Sequence, residues 1–324
     1  MNKSSLFKGG IKMPFKKTPQ TFTGKIGTVE IGADNKMVLG GNNIFPFYTF
    51  DAEEANAPKI GAEVSDLMQE EIFGTLKDYY EGCSTLADYA KKAEAIEGVD
   101  FICLHLEAAD PNGENKSVED CVAEAVEVEA AITKPLVIAG CKNNEKDAEL
   151  FTKIAEALEG KNVLFMSAKE ENYKQVGVSV VQAYGNKLSA ESAVDINLAK
   201  QLNVLLTQLG ITSDKFVMNL GSAAAGYGFE YVVSTFDRVK SAALGQNDTA
   251  LQIPVITPVA FETWNVKEAV MPEEDMPEWG SREVRAINME VVTAAACLAA
   301  GSDAVILRHP KTISTVSTMV KELL

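Results

Sequence analysis

The chain has 324 residues, 46% of them apolar and 23% charged, with a net charge of −16. That composition supplies a core for one large domain or two average ones; the acidic balance argues against nucleic acid or an anionic membrane surface, both of which select clustered Lys and Arg, and suits a cytoplasmic protein. No apolar run approaches the ~18 residues that would span a bilayer, and five widely spaced cysteines without a C-x-x-C pair exclude a sequence-local zinc or iron–sulfur site.

Residues 1–20, "MNKSSLFKGGIKMPFKKTPQ", have cations but no apolar stretch of signal-peptide length; they read as a loose leader, with Met13 an alternative start. The barrel domain described below is expected over 21–324. The first apolar run, "KMVLG" (36–40), precedes a long insertion, 42–80, which begins "NNIFPFYTFDAEEANAPKIG" and is expected to fold across the mouth. Thr85-x-x-Asp88 and Ser117-x-x-Asp120 resemble capping boxes ahead of strands "DFICLHL" (100–106) and "PLVIA" (135–139). Strands "NVLFM" (162–166) and "VSVVQAY" (178–184) follow, then a third box at Ser192-x-x-Asp195, then "KFVMNL" (215–220). After "IPVITP" (253–258) a second long connection, 259–281, carries Trp264 and Trp279; Ser281 caps "REVRAINMEVVTAAACLAA", and "AVILR" (304–308) is the last strand. Gly160, Gly210 and Gly301 stand where helices stop.

The strands read as continuous apolar runs, as parallel strands buried on both faces do. Eight of them alternating with helices predict a single (β/α)8 TIM barrel with extended loops at the mouth. A Rossmann sheet lacks its glycine-rich first turn here.

In such a barrel the functional residues follow the strands. Those positions hold Asn42 and Asn43, His105 and Glu107, Tyr184 and Asn186, Asn219, Gly221, Tyr227 and Gly228, Thr257, Arg308 and His309. The set is rich in amides, hydroxyls and glycine. No Ser-His-Asp order or G-x-S-x-G occurs, and no Lys stands well placed for a Schiff base; no catalytic residue is assigned. The turn "GSAAAGYGFEY" (221–231) has P-loop glycine spacing but Tyr227 and Gly228 in place of Lys and Ser/Thr, so it does not bind nucleotide phosphate. His105 and Glu107 are read as sharing a hydrogen bond at the rim rather than holding a metal. Asn219 suits amide recognition of a flat, amide-fringed ligand, and equally suits capping the next helix.

Four stretches, "LGGNNIFPFYTF", "GYGFEY", "ITPVAFETWNVKEA" and "VILRHP", in this order, resemble the small subunit of the corrinoid iron–sulfur protein, the delta-type subunit of acetyl-CoA decarbonylase/synthase. The resemblance runs from about Thr21 onward. It implies a barrel paired with a larger subunit that carries a 4Fe–4S cluster and a corrinoid (cobalamin) domain. The corrinoid would lie between the two subunits. The heterodimer would carry a methyl group from methyltetrahydrofolate, delivered by a separate methyltransferase, to acetyl-CoA synthase in the reductive acetyl-CoA pathway. This chain would be a non-catalytic or co-catalytic subunit. On that basis the cofactor-binding candidates are Asn42, Asn43, Tyr184, Asn186, Asn219, Gly221, Tyr227, Gly228, Thr257, Arg308 and His309.

The main alternative is a free-standing pterin-binding TIM-barrel methyltransferase, for which Asn219 could serve but a full set of pterin-reading carboxylates is missing. An aldolase or isomerase barrel predicts a phosphate nest after strands seven and eight, where "RHPKT" offers Arg308 and Lys311 without the usual glycines. A purely structural barrel is the third reading.

Overall fold

A computed structural model of the chain describes residues 18–324; residues 1–17 of the expected leader lie outside them. The first two strands, β1 (Thr28–Ile31) and β2 (Met37–Gly40), form an antiparallel hairpin. Eight parallel strands follow: β3 (Lys59–Ser65), β4 (Phe101–His105), β5 (Leu136–Ala139), β6 (Leu164–Ala168), β7 (Lys187–Glu191), β8 (Phe216–Asn219), β9 (Ile256–Thr257) and β10 (Ala304–Leu307). Their order is β8-β7-β6-β5-β4-β3-β10-β9. A single bridge between Met218 and Val255 joins β8 to β9 and closes the sheet into a barrel. Helices between the strands form the outer layer, as a (β/α)8 barrel requires.

Two expected strands are corrected. The run 36–40 is a strand, but of the hairpin rather than the barrel. Gly27 N–H donates to Gln252 O at 2.8 Å and Gly32 N–H to Asn162 O at 2.9 Å; both acceptors precede strands, so the hairpin closes the end opposite the mouth. The run 178–184 is helical, Gly177–Ala183 continuing Tyr173–Val176 in wider turns. The strands missed in their place are β3 and β7.

Helix starts follow local chemistry. Thr85 and Asp88 make a reciprocal capping box, Ser117 accepts from Asp120 N–H, and Ser281 accepts from Val284 N–H. The third box is corrected: Asp195, not Ser192, caps Ile196–Gln208, accepting from Asn197 and Leu198. The core is continuous, and Phe101 shows how it fills the barrel. Its ring lies against Gly61 of the neighbouring β3, where any Cβ would collide with it.

Candidate functional site at the barrel mouth

Arg308 follows β10 and turns into the barrel. Its Nε and Nη2 donate to the two Glu63 carboxylate oxygens at 2.7 and 3.1 Å, and Nη1 donates to Glu71 at 2.7 Å. His105, ending β4, donates from Nδ1 to Glu63 at 2.9 Å and stacks on Phe261 with ring centroids 3.9 Å apart. Glu107 accepts from Ser65 Oγ at 2.7 Å, so the expected His105–Glu107 bond is replaced: their closest approach is 3.6 Å. Burial would push the Glu63 carboxyl up, but Arg308 and His105 outweigh it and hold it down at about 2. Glu63, His105 and Glu107 place ligand atoms within 4.8 Å of one another, yet the Arg308 guanidinium already supplies the positive charge a metal would bring.

Behind this cluster lies Glu290 of the helix Arg282–Ala300, fully buried. Its carboxyl accepts from Arg308 N–H at 2.6 Å and His309 N–H at 3.3 Å, and burial pushes it up to about 7 despite those bonds. His309 caps Pro310–Leu323, its Nδ1 accepting from Lys311 N–H at 3.1 Å. That fixes the proton on Nε2, which faces Glu283 at 3.4 Å. Trp264 stacks parallel to the His309 ring and lies under the Arg308 guanidinium. Arg308 and His309 are thus at the mouth, buried and fully engaged.

The other half of the mouth is more open. A slot of about 60 Å³ lies among the ends of β5 to β9, lined by Gly140, Ser167, Lys169, Glu191, Asn219 and Phe261 among others. Asn219 ends β8; its Nδ2 donates to Ser167 Oγ at 3.1 Å and Glu191 at 3.4 Å, and its Oδ1 accepts from Gly221 N–H at 3.0 Å. Gly221, Gly226 and Gly228 all have positive φ, the conformation this turn needs and side chains resist. Gly228 stands at the N-cap of Phe229–Lys240, and Tyr227 is exposed at the tip.

The remaining candidates are not at the mouth. Asn42 lies beside the hairpin, accepting from Ala55 N–H and donating to Glu54, with Asn43 exposed next to it. Asn186 accepts from Val163 N–H and donates to Ala155 O, where β6 and β7 begin, with Tyr184 two residues before it. Thr257 spends its hydroxyl on Ser302 Oγ at 2.8 Å, a residue that precedes β10. The aromatic start of the 42–80 insertion lies at the hairpin end as well; the part after β3 is what reaches the mouth, with Phe73 against Trp264 and Glu71 on Arg308. Glu63 and Glu191 escaped notice because both lie in the strands missed from sequence.

Residues 26–317 match the family model described as CO dehydrogenase/acetyl-CoA synthase delta subunit. The chain belongs to this family. The Archaeoglobus fulgidus acetyl-CoA decarbonylase/synthase complex subunit delta is 29% identical over 97% of this chain and 72% of its own length. Subunit delta 2 of Methanosarcina acetivorans is 28% identical over 89% of this chain and 66% of its own, so the chain spans about two thirds of such delta subunits. Among solved structures, dihydropteroate synthase from Xanthomonas albilineans with 4-aminobenzoic acid aligns with TM-score 0.56 at 11% identity, covering 91% of this chain and 98% of that one. The Burkholderia cenocepacia enzyme complexed with 7,8-dihydropteroate gives 0.54 at 10%, covering 92% and 97%. These structural likenesses establish the barrel fold. Among the described residues no helix is long and apolar enough to cross a membrane.

Proposed function

We propose that this delta-type chain is the small subunit of a heterodimeric corrinoid iron–sulfur methyl carrier, its mouth closing over a corrinoid carried by a larger partner. The observation that carries this reading is how the mouth's ionisable groups are spent. Glu63, Arg308, His105 and Glu71 are bonded to one another, and Glu290 accepts from backbone. What faces outward is hydrogen-bonding surface around the Lys169–Glu191 pair, with Tyr227 exposed at its edge. That suits holding a macrocycle and excluding water better than carrying out a reaction unaided.

The donor set fits such a group: Lys169 and Glu191 stand side by side at the slot, with Phe261 in its lining and Tyr227 exposed on the neighbouring glycine turn. Arg308 and His309 would brace this surface from beneath. Methyl-accepting and methyl-donating chemistry would be supplied by the corrinoid cobalt when bound. The 4Fe–4S cluster would be the partner's. The further partners are the methyltetrahydrofolate:corrinoid methyltransferase and acetyl-CoA synthase, in the cytoplasm.

A pterin-binding methyltransferase is the second reading, favoured by the Asn219–Glu191 pair, which could face a pterin's donor–acceptor edge. Anaerobic purification with the native partner, with visible spectra before and after separating the chains, tests the proposal. The complex is expected to show corrinoid and iron–sulfur bands, and this chain alone neither. A colourless chain that comes alone and turns over methyltetrahydrofolate would overturn it.

A further inference from the structure

The slot beside Asn219 has a polarity that selects one kind of group. Its cavity volume of about 60 Å³ takes a few waters at roughly 10–15 Å³ each, and so admits a small polar group. Lys169 Nζ and Glu191 Oε1 stand 3.8 Å apart, both partly exposed, wider than a hydrogen bond. A donor and an acceptor are therefore adjacent without saturating each other. Phe261 and Met166 provide apolar wall.

We infer that this slot binds one primary carboxamide, its N–H donating to Glu191 and its carbonyl oxygen accepting from Lys169. An amide offers both functions in one plane. A carboxylate would meet Glu191 as a like charge, and an ester has no N–H to give. Asn219 is a positioning residue here: anchored by Gly221 N–H, its Nδ2 holds the other Glu191 oxygen, leaving Oε1 for the ligand. The inference rests on the corrinoid reading, since that macrocycle is fringed with amide arms; the amide-like edge of a pterin is the other source of the same chemistry.

The test titrates the full chain with aquocyanocobinamide, its per-methyl-ester analogue, and methyltetrahydrofolate, reading Kd from the visible bands or by calorimetry. Wild type should prefer cobinamide to the ester. Glu191→Ala and Asn219→Ala should raise the cobinamide Kd by about tenfold or more, the loss of a charge-assisted hydrogen bond, and leave the ester's Kd unchanged. Glu191→Gln, which keeps an acceptor, should recover part of the affinity. Far-UV circular dichroism identifies any variant that fails to fold, and Glu191→Gln then carries the comparison. Unchanged cobinamide binding in the folded variants would overturn the slot while leaving the corrinoid reading intact. Binding of methyltetrahydrofolate alone, lost in the variants, would overturn both; a wild-type chain that binds none of the three would overturn the slot.

Discussion

Glu63 and Glu290 are both fully buried carboxyls that accept from Arg308, one from its guanidinium and one from its backbone N–H, and their surroundings drive them in opposite directions. Glu63 is held down by a guanidinium and an imidazole; Glu290 has only backbone donors and neighbouring side chains to offset its burial. The consequences for pH are opposite too. Glu63, depressed to about 2, contributes stability that is present above its unfolded value near 4.5 and is lost as pH falls from there toward 2. Glu290, raised to about 7, contributes stability that is full below about 4.5 and is lost as pH rises toward 7. Comparing wild type with Glu290→Gln by urea unfolding should show the variant gaining on wild type between about pH 4.5 and 7, by on the order of a few kcal/mol, and no further change above that. A constant difference would mean that Glu290 titrates normally. Arg308→Met, which strands Glu63 in the core, should cost about 3–5 kcal/mol at pH 7, and adding Glu63→Gln should recover part of it. Simple additivity in that cycle would mean that the pair is uncoupled.

At the level of elements, legibility followed side-chain pattern. The strands that read as unbroken apolar runs, β4, β5, β6, β8 and β10, were found with their boundaries nearly right. β3 ("KIGAEVS") and β7 ("KLSAE") were missed because Glu63 and Ser65, and Lys187, Ser189 and Glu191, interrupt the run. Those interruptions are the polar side chains that face into the barrel, so the strands hardest to read carried much of the site. "VSVVQAY" misled in the other direction: its β-branched residues favour strand, but Val180 and Val181 bury against the barrel wall as helix. Asn219, Arg308 and His309 were legible because they end strands that were found, whereas Asn42, Asn43, Tyr184 and Asn186 followed two runs that are not barrel strands. The inward face of β3 has its own test. Gly61→Ala should cost about 1–3 kcal/mol by overpacking against Phe101, read from the urea midpoint, and Phe101→Leu in the same chain should relieve part of that. A neutral Gly61→Ala would mean that the ring has space to move.

For the whole molecule, the two ends of the barrel have different tasks. The hairpin and the aromatic segment after it close one end; the charged network and the slot occupy the other. The wall between them is uneven. Seven neighbouring strand pairs are laddered, but β8 meets β9 at the Met218–Val255 bridge, and β9 is only two residues long. That makes β9 the loosest stave of the cylinder, and the chain runs straight from it to Phe261 at the slot. Local opening follows the sparsest hydrogen bonding, so deuterium should enter 254–261 ahead of the other barrel strands. A ligand gripping the slot should slow that exchange far more than it slows exchange in β4 or β5; equal slowing would mean that the cylinder opens as one piece. The same seam gives the mouth its give: an incoming amide arm could be admitted by a slight parting of two staves, with the opposite wall standing still.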